Sequence, residues 1–342
     1  MVLGRNLESC TRVHLPTQTQ PILLVVIDTE EEFDWAQPFD RDATGVSAID
    51  ELPRGQQLFE EFEIKPVYVI DYPVASTPSS FSLLRSLHDA KRAHIGMHLH
   101  GWVSPPYNEE VSRENSYQGN LPAALEREKL AKLHATIQAN FSFATQIHKA
   151  GRYGFGTHTA EHLLELGVDI DLSASPGFDH SGDGGPDYSR IDAHLYRFGP
   201  NEALFGIPTT GGFMGPLSAM APRWFSAHSR ASTIGALGAS VLSKFRLAEQ
   251  VMVSPEGHSL DKMQRMTRAL LERGVRVITM SFHSPTLKAG CTPYTQSEAD
   301  IKKFLDKCRR YFEFFKGELG GIAISPHEIK QQASAIKTTT QT

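Results

Sequence analysis

Residues 21–32 read Pro-Ile-Leu-Leu-Val-Val-Ile-Asp-Thr-Glu-Glu-Glu. The apolar run Ile22–Ile27 is far too short to span a bilayer. Its length and β-branched content suit a buried strand instead. The run ends abruptly in Asp28-Thr29-Glu30, so carboxylates sit at the strand's C-terminal end. Working outward, the same kind of run recurs at Pro66–Ile70, Ile95–His98, Thr145–His148, Asp169–Ser173, Leu204–Pro208, Arg276–Ser281 and Gly321–Ser325. Amphipathic stretches lie between these runs. Ser259 is a candidate N-cap, Met263, Met266 and Leu270 share one helical face, and Gly274 ends that helix. Ser297 and Asp300 resemble a capping box ahead of an apolar stripe of Ile301, Phe304, Leu305, Cys308, Phe312 and Phe315. Leu130, Leu133 and Ile137 mark another helix within Pro122–Asn140. Strands alternating with helices imply a parallel sheet. About eight such units predict an α/β fold, a distorted (β/α)7-8 barrel, as a single domain over residues 21–330. The polar ends, 1–20 and 331–342, read as disordered tails.

The 342 residues and 40% hydrophobic content are ample for one core. The net charge of −5 offers no basic excess for a phosphate backbone, so no nucleic acid partner is expected. Cys10, Cys291 and Cys308 do not form a disulfide framework. They and the absence of a signal-like apolar stretch suggest a reduced, cytoplasmic setting with no membrane span. A homo-oligomer is possible.

In a parallel barrel the strand C-terminal ends converge on one rim. Here those ends carry Asp28, Thr29 and Glu30; Asp71; His98, Leu99 and His100; and His283. Residues two apart in extended chain face the same way. Asp28 and Glu30 can therefore meet one centre as metal ligand and base, or they begin the acidic first turn of a helix. His98 and His100 can hold one metal through imidazole nitrogens, or be ordinary exposed or structural histidines. His283 reads as a general acid or base, or as a histidine bonded to a loop carbonyl. His94 shares the alternation of His98 but begins its strand, at the wrong end. Lys149 and Arg152 offer a cation for a carboxylate base, or a surface turn. Two long polar loops, Gly101–Leu121 and Ser175–Arg197, follow candidate strands, where long loops are usually functional or disordered. Asp71, Trp102 and Arg152 are the candidates for substrate contact, with Trp102, Tyr107 and Tyr117 able to stack on sugar faces or to anchor loops. Asp179, His180, Asp183 and Asp187 lie in a polar loop that contacts substrate or simply flexes, and His327 is a further possible pocket residue. Cys291 has no evident base beside it, and Gly211–Gly215 does not match a phosphate loop.

Five segments together resemble the polysaccharide deacetylase (NodB-homology) family, with the closest look to its WalW-like branch. They are VVIDTEEEFDW (25–35), HIGMHLHGWVSPP (94–106), KAGRYGFG (149–156), DLSASPG (171–177) and MSFHSPTLKAGCTPY (280–294). They run in the family's order and span about residues 21–328. The resemblance implies a distorted barrel, often of seven strands, and hydrolysis of an N-acetyl group from an amino sugar with zinc or another divalent ion. It implies Asp28 as the base, Glu30 and His98 as metal ligands and His283 as the general acid. The family's second histidine falls four residues after the first, where this chain has Trp102; His100 is the natural substitute. The family's base-contacting arginine falls near Lys149, with Arg152 as the other candidate. The substrate implied is a carbohydrate. Small cyclic amides of the allantoin or imide type are the alternative, and a catalytically degenerate carbohydrate-binding protein is the third reading.

Overall fold

The computed structural model describes residues 10–226 and 231–339. Its strands are β1 (Thr11–Val13), β2 (Ile22–Thr29), β3 (Val67–Ile70), β4 (His94–Leu99), β5 (Ile147–Ala150), β6 (Ile170–Asp171), β7 (Leu195–Phe198), β8 (Leu204–Gly206), β9 (Gly211–Met214), β10 (Glu249–Met252), β11 (Val277–His283) and β12 (Ile322–Ala323). Eight of the described strands, β2, β3, β4, β5, β6, β8, β11 and β12, run parallel in one sheet. The sheet order is β1-β7-β8-β6-β5-β4-β3-β2-β11, with β12 also paired to β2.

β2 shows why the strand reads as unbroken apolar sequence. Both of its faces are buried. Leu23, Val25 and Ile27 pack outward with Leu84, Phe59 and Phe312 of the surrounding helices. Ile22, Leu24 and Val26 pack inward with Val67, Val69, Ile147, Phe205 and Val277. A second, interior core therefore fills a curled half-barrel. The chain beyond β8 bridges much of the gap to β11: Thr210 N–H donates to Thr279 O at 3.2 Å and Ser281 N–H to Val253 O at 3.3 Å. Gly96 sits inside this narrow space. A Cβ there would lie 2.8 Å from a Val69 methyl and 3.0 Å from an Ile147 methyl, so no larger residue fits without movement.

The helices follow their expected signals. Ser259 accepts from Lys262 N–H and starts the helix Leu260–Glu272, and Gly274 beyond it takes φ +88°. Ser297 caps Glu298–Glu313. The helix expected within 122–140 spans Ala123–Phe141 and is buried through Leu130, Leu133 and Ile137.

Of the two expected disordered tails, residues 1–9 and 340–342 lie outside the described residues, and the described parts differ from that expectation. Thr11–Val13 pairs antiparallel with β7 and covers that strand's exposed edge, with Val13 and Leu15 buried. At the other end, Pro326–Thr339 is one helix, and Ile329 and Ala333 seal the lower end of the interior core. These short apolar anchors were hidden by polar neighbours. The loop 175–197 likewise ends by entering β7, and β9 pairs with β10 as a separate ribbon.

The loop 101–121 is held by Lys129, whose ammonium is wholly buried. It donates to Gly101 O at 3.0 Å, Ser104 O at 2.5 Å and Pro106 O at 2.7 Å and faces Glu109 Oε2 at 3.0 Å. Lys129→Met takes the donor from three carbonyls and leaves the buried Glu109 carboxylate to Arg41 alone. It should destabilise the fold by about 3–5 kcal/mol, read as a drop in the chemical-denaturation midpoint.

Candidate metal centre and active site

The interior phase of each strand decides which side chains reach the barrel mouth. Along β2 the inward positions are Ile22, Leu24 and Val26, so Asp28 continues inward at the strand end. Along β11 the inward series from Val277 reaches Ser281 and His283, and on β5 it reaches Lys149 after Ile147. His98 follows Gly96 on β4. Register brings these residues level: His283 stands opposite Asp28, and His98 opposite Lys149.

Glu30, His98 and His100 present three ligand atoms within 4.8 Å of one another, and all three residues are buried. His98 Nε2 lies 3.7 Å and His100 Nε2 3.5 Å from Glu30 Oε2. The other ring nitrogens are engaged. His98 Nδ1 donates to Lys149 O at 2.8 Å, and His100 Nδ1 lies 2.8 Å from Glu31 Oε2. Those outer bonds fix the tautomers and turn both Nε2 lone pairs toward Glu30. Burial lowers the pKa of His98 well below the usual imidazole value, and lowers that of His100 against the pull of Glu30 and Asp71. Both rings are thus neutral. Glu30 Oε1 is buried and, among the described residues, has no hydrogen-bond partner. A buried orphan oxygen beside two aimed, neutral imidazoles fits a divalent cation.

Next to this cluster, Asp28 Oδ1 and Oδ2 accept from Lys149 Nζ at 2.5 and 2.6 Å, and the same ammonium donates to Ser281 Oγ at 3.1 Å. Burial pushes the Asp28 carboxyl up, but the Lys149 ammonium first, and His283 after it, outweigh this and hold the pKa at about 2. His283 Nε2 lies 3.8 Å from Asp28 Oδ2. Its Nδ1 meets Glu256 Oε2 at 2.7 Å. Glu256 Oε1 accepts from the His283 N–H at 3.1 Å and from the Thr286 hydroxyl. Burial alone would lower the His283 pKa; Glu256, Glu30 and Asp28 raise it to about 10. At neutral pH the site therefore holds an ionised carboxylate and a protonated imidazole side by side.

The candidates for substrate contact fall differently. Asp71 is wholly buried behind Glu31 and is not open to a ligand. Its Oδ2 accepts from Glu31 N–H at 2.7 Å, and its Oδ1 caps the helix Tyr72–Ser76 at Val74 N–H. A carboxylate at a helix start satisfies an otherwise orphaned donor, which is the simpler use for a strand-end aspartate. Trp102 is also buried: its ring stacks on His100 at 4.3 Å, with Phe33 and Phe39 packed against it. It braces the metal cluster rather than offering an open face to a sugar. Arg152 turns away from Asp28 to Asp183 at 2.9 Å and to the Ser116 hydroxyl. The cation at Asp28 is Lys149. His94 and His327 lie together at the opposite end, with ring centroids 6.5 Å apart. His180 bonds Ser175 within its own loop. At the mouth, Trp35 packs edge-on against the ring of His283 at 4.9 Å and Tyr294 lies 5.8 Å beyond.

Glu31 and Glu256 were not among the expected residues. Glu31 stands in the acidic run 30–32, which already had a helix-start explanation. Glu256 lies in a connecting segment with no periodic pattern. Glu31→Gln weakens the acceptor that orients His100. It should lower divalent-metal affinity about 10–100-fold, measured by competition with a chromophoric chelator.

No protein-family model and no curated protein sequence matches the chain. Among solved structures, a candidate polysaccharide deacetylase from Mycobacterium smegmatis superposes with a TM-score of 0.54 at 12% identity, over 95% of this chain and 94% of that one. A family 4 carbohydrate esterase from Streptomyces lividans gives 0.42 at 8% identity, over 90% and 94%. A CE4 family pseudoenzyme from Bacillus anthracis gives 0.39 at 9% identity, over 90% and 64%. The first likeness places the chain in the deacetylase-like fold, a mixed α/β single domain built on a curled half-barrel sheet. At these identities the likeness concerns fold alone.

Proposed function

We propose that this chain is a divalent-metal-dependent hydrolase, of the WalW-like branch of the NodB-homology deacetylases, that removes an N-acetyl group from an amino sugar. The observation that carries the reading is the adjacency of two arrangements: the Glu30–His98–His100 cluster, and the Asp28–His283 pair 3.8 Å apart. Glu30, His98 and His100 would hold the ion, zinc being the natural choice for two imidazoles and a carboxylate. Such an ion acidifies water and polarises an amide carbonyl. Asp28, kept charged by Lys149, would be the proton acceptor, a base too weak for ordinary water without such an ion. His283 Nε2–H stands ready to protonate the leaving amine, while Glu256 and Thr286 hold the ring from behind. Trp102 and the Phe33–Phe39 packing keep bulk water from the buried face of the cluster.

A second reading, hydrolysis of a small cyclic amide, draws support from enclosure: Asp28 and Glu30 are only 4% and 2% exposed. The two are separated by product. Zinc-loaded protein incubated with N-acetylglucosamine oligomers should release acetate, and the Asp28→Asn variant should not. Ring opening of a cyclic imide with no acetate from any acetylated sugar would overturn the glycan reading and keep the site.

A further inference from the structure

Between β9 and β10 the chain makes an excursion, residues 215–247, whose described residues include the α-helices Ala221–Phe225 and Thr233–Lys244. It encloses a small core of its own, in which Phe213, Ala221, Phe225, Ala239 and Ala248 pack together. Its outer face is apolar as well. Leu217, Met220, Trp224, Leu237, Val241 and Phe245 are between 40% and 67% exposed. A helix that is apolar all round is ordinarily buried on all sides. Here one side is covered and the other is open.

The charge of the excursion is one-sided. It holds Arg223, Arg230, Lys244 and Arg246 and not one Asp or Glu, in a chain whose net charge is −5. Arg246 approaches Asp261 of the neighbouring helix at 3.7 Å, and that carboxylate already pairs with Arg265 at 3.0 Å. Arg223 and Lys244 stand exposed among the apolar side chains. Cations interleaved with Trp, Phe and Leu suit the interface of an anionic bilayer, where apolar side chains enter the acyl boundary and the cations meet headgroups. A two-fold dimer through this face would set the patch against itself and bring like charges together. Among the described residues no helix is long and apolar enough to cross a membrane. The attachment is therefore interfacial.

We propose that residues 215–247 dock the protein onto an anionic lipid surface. The excursion is rooted at the candidate active site. The Tyr153 hydroxyl donates to Met252 Sδ at 3.6 Å, and the Tyr153 ring lies 5.1 Å from Lys149 Nζ. Past β10 the same strand leads to Glu256, the partner of His283. Docking thus holds the catalytic rim at a fixed relation to the lipid surface.

The test is sedimentation of the full chain with phosphatidylglycerol-containing vesicles and with phosphatidylcholine vesicles, at low and high salt. Binding should appear on the anionic vesicles, weaken with salt and be at least ~10-fold weaker on the neutral ones. Arg223→Gln/Lys244→Gln/Arg246→Gln should bind about 100-fold more weakly, at ~5-fold for each cation. Leu237→Ser/Phe245→Ser should abolish binding. Brominated lipid should quench tryptophan fluorescence in the native chain and not in Trp224→Phe, which keeps the apolar ring and the fold. Absence of binding to anionic vesicles, or equal binding to neutral ones, would overturn the proposal. So would a concentration-dependent dimer that Leu237→Ser/Phe245→Ser disperses. None of these readouts depends on turnover.

Discussion

Asp28→Asn should lower turnover by about 10²–10⁴-fold, the ordinary value of a positioned general base. Asparagine keeps the shape and removes the proton acceptor. It also removes the charge that faces Lys149, an ammonium only 1% exposed at 2.5 Å. Uncompensated buried cations are costly, so the variant should lose stability as well as activity. The two effects separate in a double-mutant cycle. Lys149→Met alone strands the Asp28 carboxylate and should destabilise the fold by about 3–5 kcal/mol. Asp28→Asn/Lys149→Met removes both charges and should recover much of that loss, yet remain as inactive as Asp28→Asn. Thermal melts and turnover measured on the four proteins check this. If activity returned together with stability, Asp28 would be a structural counter-ion and not the base.

His283→Ala should cost a comparable factor, about 10²–10⁴-fold, because the leaving amine then departs without a proton donor. The pH profile carries the sharper signature. His283 must be protonated to act as an acid, and its pKa is raised to about 10. Activity that depends on it is therefore present below that value and falls as pH rises through it. Glu256→Gln removes the first of the charges that raise it, so the alkaline limb should move down toward the ordinary imidazole value of ~6.5. A purely structural Glu256 would lower stability without moving the limb.

Much of this was legible in the chain itself. The run Ile22–Ile27 ending in Asp28 identified a strand buried on both faces, and the same reading at 276–281 led to His283. The alternation of extended chain explains why Asp28, His98 and His283 turn inward together. His100, two positions before Trp102, lies with its Nε2 3.5 Å from Glu30 Oε2.

What was not legible depended on contacts distant in sequence. Glu256 reaches His283 across 27 positions, and Glu31 reaches His100 across 69. Asp71 looked like a substrate contact because it ends a strand, but the helix beginning at Tyr72 claims its oxygen. The terminal strand Thr11–Val13 has only one buried residue among exposed ones, too little pattern to detect without its partner β7. The excursion 215–247 drew no expectation from its sequence, since composition does not say which faces remain uncovered.

The most direct test of the metal-centre account is the metal content of purified protein, compared for the native chain and for His98→Ala, His100→Ala and His94→Ala. The account predicts one divalent ion per chain, lost in the first two variants and kept in His94→Ala, whose ring lies at the far end of the barrel. Metal that survives His100→Ala, or a native chain that takes up none when loaded with zinc or cobalt, would contradict it.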